Sequence, residues 1–187
     1  LYGSQYSAMC ETSGLWEEAA GAWEAVLSKL VEEKPEQQAV VRQRLAKALL
    51  NSDQPTRAIA QLREAVAQDP QALDAIRDLR ALYENAGQWP LVAELRLREV
   101  ALTDDPQAQA EQYCALARIH ADALGDSATA LMMLDRAFAI QPDDLNTARE
   151  LLVACEKMGD WQRYVRTARV LVDSEFERTG DARQANA

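Results

Sequence analysis

The chain predicts an all-α solenoid of antiparallel helix pairs, and three observations predict it. A Gly-x-Trp tripeptide recurs as Gly14-Leu15-Trp16, Gly87-Gln88-Trp89 and Gly159-Asp160-Trp161, in two nearly equal steps. Other landmarks obey the same shift: Ala58, Leu62, Ala65, Pro70, Leu73 and Leu79 return one such step later as Ala130, Leu134, Ala137, Pro142, Leu145 and Leu151. A fixed long period is the mark of stacked repeats, each packing only on its neighbours. The composition agrees. With 7 Gly, 6 Pro and 2 Phe against abundant Ala, Leu, Glu, Gln and Arg, it favours helix, and no alternating strand pattern of useful length occurs.

Helical periodicity places helices at 4–13, 15–33, 37–51, 55–68, 72–86, 89–103, 107–124, 127–140, 145–158 and 161–178. Each break carries a local reason. Gly14, Gly87, Gly125 and Gly159 supply the left-handed residue that closes a helix, while Asp53, Asp105 and Asp126 can cap the next one. Lys34-Pro35, Asp69-Pro70, Asp104-Asp105-Pro106 and Gln141-Pro142 put proline just outside a helix or in its first turn. Pro55 and Pro90 sit in a first turn, where the missing N–H is no loss. Within the long period lies a shorter one. The steps from Asp53 to Gly87 and from Gly125 to Gly159 are equal, whereas those from Gly14 to Asp53 and from Gly87 to Gly125 are longer by a helical turn or slightly more. Each step is one helix pair.

Here the residues reach a known family. The 34-residue helix–turn–helix unit resembles the tetratricopeptide repeat, in a form that alternates 34- with 38- or 39-residue units. Its second half is read as Ala58-x3-Leu62-x2-Ala65-x4-Pro70 and again as Ala130-x3-Leu134-x2-Ala137-x4-Pro142. First-helix halves are Leu45-Ala46-x2-Leu49 and Tyr113-x2-Leu116-Ala117-x2-His120. Two units, around Ile76-x2-Leu79-x3-Tyr83 and Ala148-x2-Leu151-x3-Cys155, are degenerate, with Arg80 and Leu152 in the place of the small residue and Arg96 and Glu99 departing further. The resemblance implies a right-handed superhelical solenoid, a single domain over 1–187 with units near 1–36, 37–72, 73–106, 107–144 and 145–178. Residues 179–187 would then begin a further helix or form a tail. Asp181 to Ala187 lines up with Gln109 to Ala115, which opens a helix, so the array is expected to continue in a larger protein.

Charge and composition narrow the function. The net charge is −10 and the sequence pI near 4.7, which disfavours nucleic acid and anionic membrane surfaces as partners. No apolar stretch approaches the roughly 20 residues of a membrane span. Three widely spaced cysteines, Cys10, Cys114 and Cys155, are no disulfide framework and favour a reducing, cytoplasmic compartment.

Catalytic chemistry finds little to work with. His120 is the single histidine and falls where the repeat wants an aromatic, so it is read as packing inside its helix pair. Cys10 and Cys155 share that internal slot with Tyr83, several layers apart, which excludes a shared metal site; Cys114 is read as the most exposed thiol. Trp16, Trp89 and Trp161 are read as anchors of second helices against the preceding turn. Acidic pairs such as Glu17-Glu18, Glu32-Glu33, Asp104-Asp105 and Asp143-Asp144 belong to solvated faces and helix ends. No enzyme, cofactor or metal function is expected.

The resemblance further implies that first helices line a concave groove that takes peptides. Two positions per first helix then face it: Gln43 and Lys47, Arg77 and Ala81, Cys114 and Arg118, Arg149 and Val153. Four of these are basic and none acidic. Such a row fits an acidic peptide or chain terminus, because guanidinium holds carboxylate bidentately. Asp74, Glu84, Glu111, Asp122 and Glu156 on the same helices offer the opposing reading, neutralisation across one turn. Lys47 and Asn51 are also suggestive of the carboxylate clamp of chaperone-binding members, but Asp78 and Ala115 stand where amide or basic residues are wanted, and that clamp is not assigned. The binding set is therefore Gln43, Lys47, Asn51, Arg77, Cys114, Arg118 and Arg149, in a non-catalytic scaffold for a peptide or partner protein. The alternatives are a self-association module, hence a homo-oligomer, or an accessory helical domain of a larger enzyme or assembly.

Overall fold

The computed structural model describes residues 2–30 and 35–184, with side chains described over 3–30 and 35–173. Glu32-Glu33, Lys34 and the final residues 185–187 lie outside the described residues, as do the side chains of the stretch aligned from Asp181 onward. Among the described residues the chain is all-α. Its elements are α1 (Tyr2–Thr12), α2 (Trp16–Lys29), α3 (Pro35–Asn51), α4 (Pro55–Gln68), α5 (Leu73–Asn85), α6 (Trp89–Ala101), α7 (Pro106–Arg118), α8 (Ser127–Ile140), α9 (Leu145–Met158) and α10 (Trp161–Gln184). All ten predicted helices are present. The last is longer than the sequence reading places it, running past 178 and through Gly180 to Gln184.

Contacts divide the chain into two compact units, Leu1–Leu95 and Arg96–Ala187, with the boundary inside α6. Each is built from helices that pack on their neighbours in sequence: α1 on α2, α2 on α3, α3 on α4 and α4 on α5 in the first, then α7 on α8, α8 on α9 and α9 on α10 in the second. The repeat landmarks form the core. In the first unit Leu45, Ala46, Leu49, Ala58, Leu62, Ala65, Ile76 and Leu79 are buried; in the second, Leu116, Ala117, Ala130, Leu134, Ala137, Ala148 and Leu151 are. Small residues bring the paired backbones close and the leucines fill the space between layers. Two of the degenerate positions find polar partners: Arg80 pairs with Glu84 at 2.8 Å, and Arg96 donates through Nη1 to Gln112 Oε1 at 2.6 Å.

The turn between helices repeats in detail. Leu15, Gln54, Gln88 and Asp160 each donate a backbone N–H to the carbonyl five residues back, on Cys10, Leu49, Tyr83 and Cys155, at 2.8–2.9 Å. The residue before each donor is left-handed: Gly14, Asp53, Gly87 and Gly159, with φ of 74°, 59°, 66° and 70°. This is the six-to-one closure that satisfies a terminal carbonyl. The fifth turn differs by one residue. Asp126 reaches back six residues, to His120 at 2.7 Å, because 119–123 form a π turn closed by the Leu124 N–H on Ile119 at 3.1 Å. One inserted residue has been absorbed as a wider turn of helix, and His120 keeps its register slot with its side chain largely covered.

The same slot buries both expected cysteines, with Cys10 and Cys155 at 2% and 0% exposure. The Gly-x-Trp tryptophans behave otherwise. Each is the first residue of a second helix, but Trp89 is 37% and Trp161 60% exposed, and Trp161 meets only the edge of Tyr164 at 5.8 Å among described ring contacts. The anchoring reading is corrected for Trp161, whose turn is held by its backbone hydrogen bond and left-handed residue, whereas Trp16 is half-buried.

Candidate functional site

The predicted groove residues come from two first helices in each unit. In the first unit, α3 and α5 border a groove of about 550 Å³, with Leu62 of α4 at its base. Gln43, Lys47 and Arg77 line it. Asn51 does not, since its amide donates to the Lys47 carbonyl at 2.8 Å one turn back along α3. The walls are tied together where Gln43 Nε2 donates to Asp78 Oδ2 at 3.1 Å. Arg77 lies 3.9 Å from Asp74, one turn away on α5.

The second unit repeats the arrangement with α7 and α9. Arg118 and Arg149 line a groove of about 590 Å³ that has Leu134 of α8 at its base. Arg118 Nη2 donates to Glu150 Oε1 at 2.7 Å, and this contact holds the guanidinium above its ordinary pKa. Glu150 stands one long period after Asp78, so the same register position supplies the bridging carboxylate in both units. The neutralisation reading thus holds for Asp74, but the strong partner of Arg118 comes from the facing helix, not from its own. Glu84, expected beside the groove arginines, pairs with Arg80.

Cys114, one turn before Arg118 on α7, does not line this groove; it is half-buried, and more exposed than the buried Cys10 and Cys155, as its register suggests. Its sulfur is 3.2 Å from Thr147 Oγ1, whose own proton goes to the Asp144 carboxylate. A hydroxyl has one proton to give, so the thiol donates here. Burial is the first cause that pushes the Cys114 thiol up from its usual pKa. Cys155 is likewise raised by burial. Neither environment is that of an activated thiolate.

Glu150, Lys157 and Met158 line the second groove and escape the sequence reading of the site, while Asp122, read there as a neutralising acid, lines it too. Lys157 falls two helical turns after Arg149, a spacing visible in the sequence, whereas Asp122 is carried to the rim by the π turn. His120 Nδ1 lies 3.7 Å from Asp126 Oδ2, the cap of α8, with no serine or second histidine completing a catalytic arrangement among the described contacts. Among the described residues no group of His, Cys, Asp and Glu is placed to hold a metal ion, and no helix is long and apolar enough to cross a membrane.

Paired helices in a two-unit register, with grooves between successive first helices that carry charged side chains along their walls, define a helical-repeat protein of the tetratricopeptide type of fold. Solved structures agree. MamA from Desulfovibrio magneticus RS-1 is similar at a TM-score of 0.53 and 18% identity, covering 96% of this chain and 96% of that one. The kinesin light chain TPR-like repeats of Podosopora anserina are similar at 0.54 and 20%, covering 95% of each chain. The N-terminal domain of stress-induced protein-1 from C. elegans is similar at 0.51 and 12%, covering 66% of this chain and 98% of that one. No family model and no curated protein matches the sequence.

Proposed function

We propose that the chain is a non-catalytic scaffold that binds a peptide or a segment of a partner protein, acidic in character, on the concave face lined by the first helices. The observation that carries the reading is the pair of grooves. Lys47 and Arg77 line one, Arg118 and Arg149 line the other, at equivalent register, in a chain whose net charge is −10. Helical-repeat folds use such extended surfaces for binding, and bidentate guanidinium contacts suit carboxylates. The deciding experiment is charge reversal. Arg77→Glu with Arg118→Glu should cut capture of the partner in pull-downs from the native source, with helical content and melting unchanged. Full capture by the doubly reversed protein would refute the groove assignment.

A second reading, self-association, draws on α10. Val165 and Val172 are 59% and 67% exposed on the same helix face as Trp161, whereas Leu131 and Phe138, at the matching positions of α8 in the preceding unit, are buried. Sedimentation at several concentrations separates the two: a monomer at all of them removes this reading.

A further inference from the structure

We propose that the groove of the second unit is a specificity site for an extended segment in which one apolar side chain is flanked, two residues to either side, by carboxylates. The inference rests on the scaffold reading and narrows its ligand.

The geometry lies on α9. Arg149, Val153 and Lys157 occupy successive turns of that helix, all exposed and all lining the groove, with Met158 beside Lys157. A rise of 1.5 Å per residue sets them about 6 Å apart, cation, apolar, cation. Alternate side chains of an extended chain project on one side at roughly 6.6 Å. The two spacings match closely enough for flexible Arg and Lys side chains to absorb the difference. A ligand running along α9 therefore meets Val153 with its central side chain and the two cations with its flanking ones.

Val153 and Met158 are 51% and 45% exposed, so the helix presents apolar surface that its own packing does not use. Register shows that this surface is not a requirement of the repeat. Shifted back by one long period, Val153, Lys157 and Met158 become Ala81, Asn85 and Ala86, while the deep position does recur, Leu134 matching Leu62. Packing repeats between the units; the rim of the second groove departs from it toward an apolar wall bounded by positive charge. The groove rim carries three cations, Arg118, Arg149 and Lys157, against two acids, Asp122 and Glu150. The remaining excess is positive in a strongly acidic chain, which selects carboxylates over cationic segments. Small side chains in the lining, Ala117, Ala121, Ala130 and Ala154, leave room for a medium-sized aliphatic group.

The test uses the full chain and two fluorescein-labelled peptides, Gly-Ser-Glu-Ser-Leu-Ser-Glu-Ser-Gly and the same peptide with both Glu replaced by Gln, followed by fluorescence anisotropy at low salt. The Glu peptide should bind on the order of tenfold more tightly than the Gln peptide. Val153→Asp and Lys157→Glu should each weaken it roughly fivefold or more, since one desolvated contact or charge pair is lost. A surface control away from both grooves, Arg63→Glu on α4, should leave it unchanged, while the pair Lys47→Glu and Arg77→Glu reports any binding in the groove of the first unit. Thermal melting of each variant by circular dichroism confirms folding, which exposed positions preserve. Equal binding of the two peptides, or no binding up to about 1 mM, overturns the proposal. Loss in the first-unit variant alone also overturns it, and leaves the scaffold reading standing with its site in the other groove. Binding that ignores the variants of both units removes both readings.

Discussion

Arg118 and Glu150 join two neighbouring first helices of the second unit through a 2.7 Å hydrogen bond between a 64% exposed guanidinium side chain and a 38% exposed carboxylate. Such an exposed pair contributes about 0–1 kcal/mol to stability. Its larger effect is on the groove, where Glu150 occupies the cation that an acidic ligand would use. Glu150→Gln should therefore shift the unfolding free energy by less than about 1 kcal/mol while tightening binding of the Glu-containing peptide by about three- to tenfold. Urea melts and anisotropy titrations check the two halves. Weaker binding by Glu150→Gln would mean that the carboxylate positions Arg118 for the ligand and does not compete for it.

Asp144 caps α9. Its carboxylate accepts from the Asn146 N–H at 3.1 Å and the Thr147 N–H at 3.3 Å, and also from the Thr147 hydroxyl. Removing such a cap costs about 1 kcal/mol, so Asp144→Ala should lower stability by that amount at neutral pH. The Thr147 side-chain hydrogen bond is the first cause that holds the Asp144 carboxyl below its ordinary pKa. The sign follows: the folded state binds the proton less readily than the unfolded one, so the stabilisation is present above the unfolded value, near pH 4, and fades as pH falls through the lower folded value. The gap between wild type and Asp144→Ala in denaturant melts should close on acidification from pH 6. A gap that stays constant down to acid pH would show that the carboxylate charge is irrelevant to the cap.

Asp53 is the one described residue other than glycine with positive φ, at 59°, in the turn position that glycine holds in the other four loops. A side chain in the left-handed region costs roughly 1 kcal/mol, less for Asp than for most residues. Asp53→Gly should raise stability by about 0.5 kcal/mol, after the greater chain entropy of glycine in the unfolded state is discounted. Gly159→Ala should lower it by about 1 kcal/mol. Nothing lies within 4 Å of the Cβ that Gly159→Ala would add, so the cost is conformational alone. Urea midpoints at constant m-value read both effects. A destabilised Asp53→Gly would mean that the aspartate side chain supports the turn.

Period was legible and pairing was not. The long register located every helix and put Cys10, Cys155 and His120 in one internal slot, because burial in a stacked array follows the repeat. It also placed the groove arginines, since exposed register positions are equally periodic. Glu150 as the partner of Arg118 could not be read, because a contact between two helices depends on how they slide past one another, and no single helix encodes that. The π turn hid for a similar reason: the extra residue before Gly125 shows in the interval, but not whether a loop or the helix absorbs it. The extent of α10 was the other shortfall, since the sequence reading stops it at 178, two residues before Gly180. A lone glycine costs a helix only about 1 kcal/mol, and α10 runs through it.

The tryptophans give the sharpest test of motif against environment. Trp23, outside the Gly-x-Trp pattern, is 7% exposed and donates its indole N–H to Glu11 Oε1 at 2.6 Å, while Glu11 Oε2 lies 3.5 Å from Arg44. One indole thus connects α2 to α1, and the acid it meets reaches α3. Truncating a buried aromatic costs about 3–5 kcal/mol, so Trp23→Ala should leave the first unit unfolded or nearly so. Trp23→Phe retains most of the buried area and should cost about 1–2 kcal/mol, for a lost hydrogen bond and a partly vacated carboxylate. Trp161 belongs to the recurring motif yet is 60% exposed, and Trp161→Ala should cost no more than about 0.5 kcal/mol, as other surface changes do. Denaturant unfolding of the three variants ranks them. If Trp161→Ala proved as costly as Trp23→Ala, the recurring tryptophan would be a structural anchor after all, and the turn would depend on its indole as well as on the left-handed residue before it.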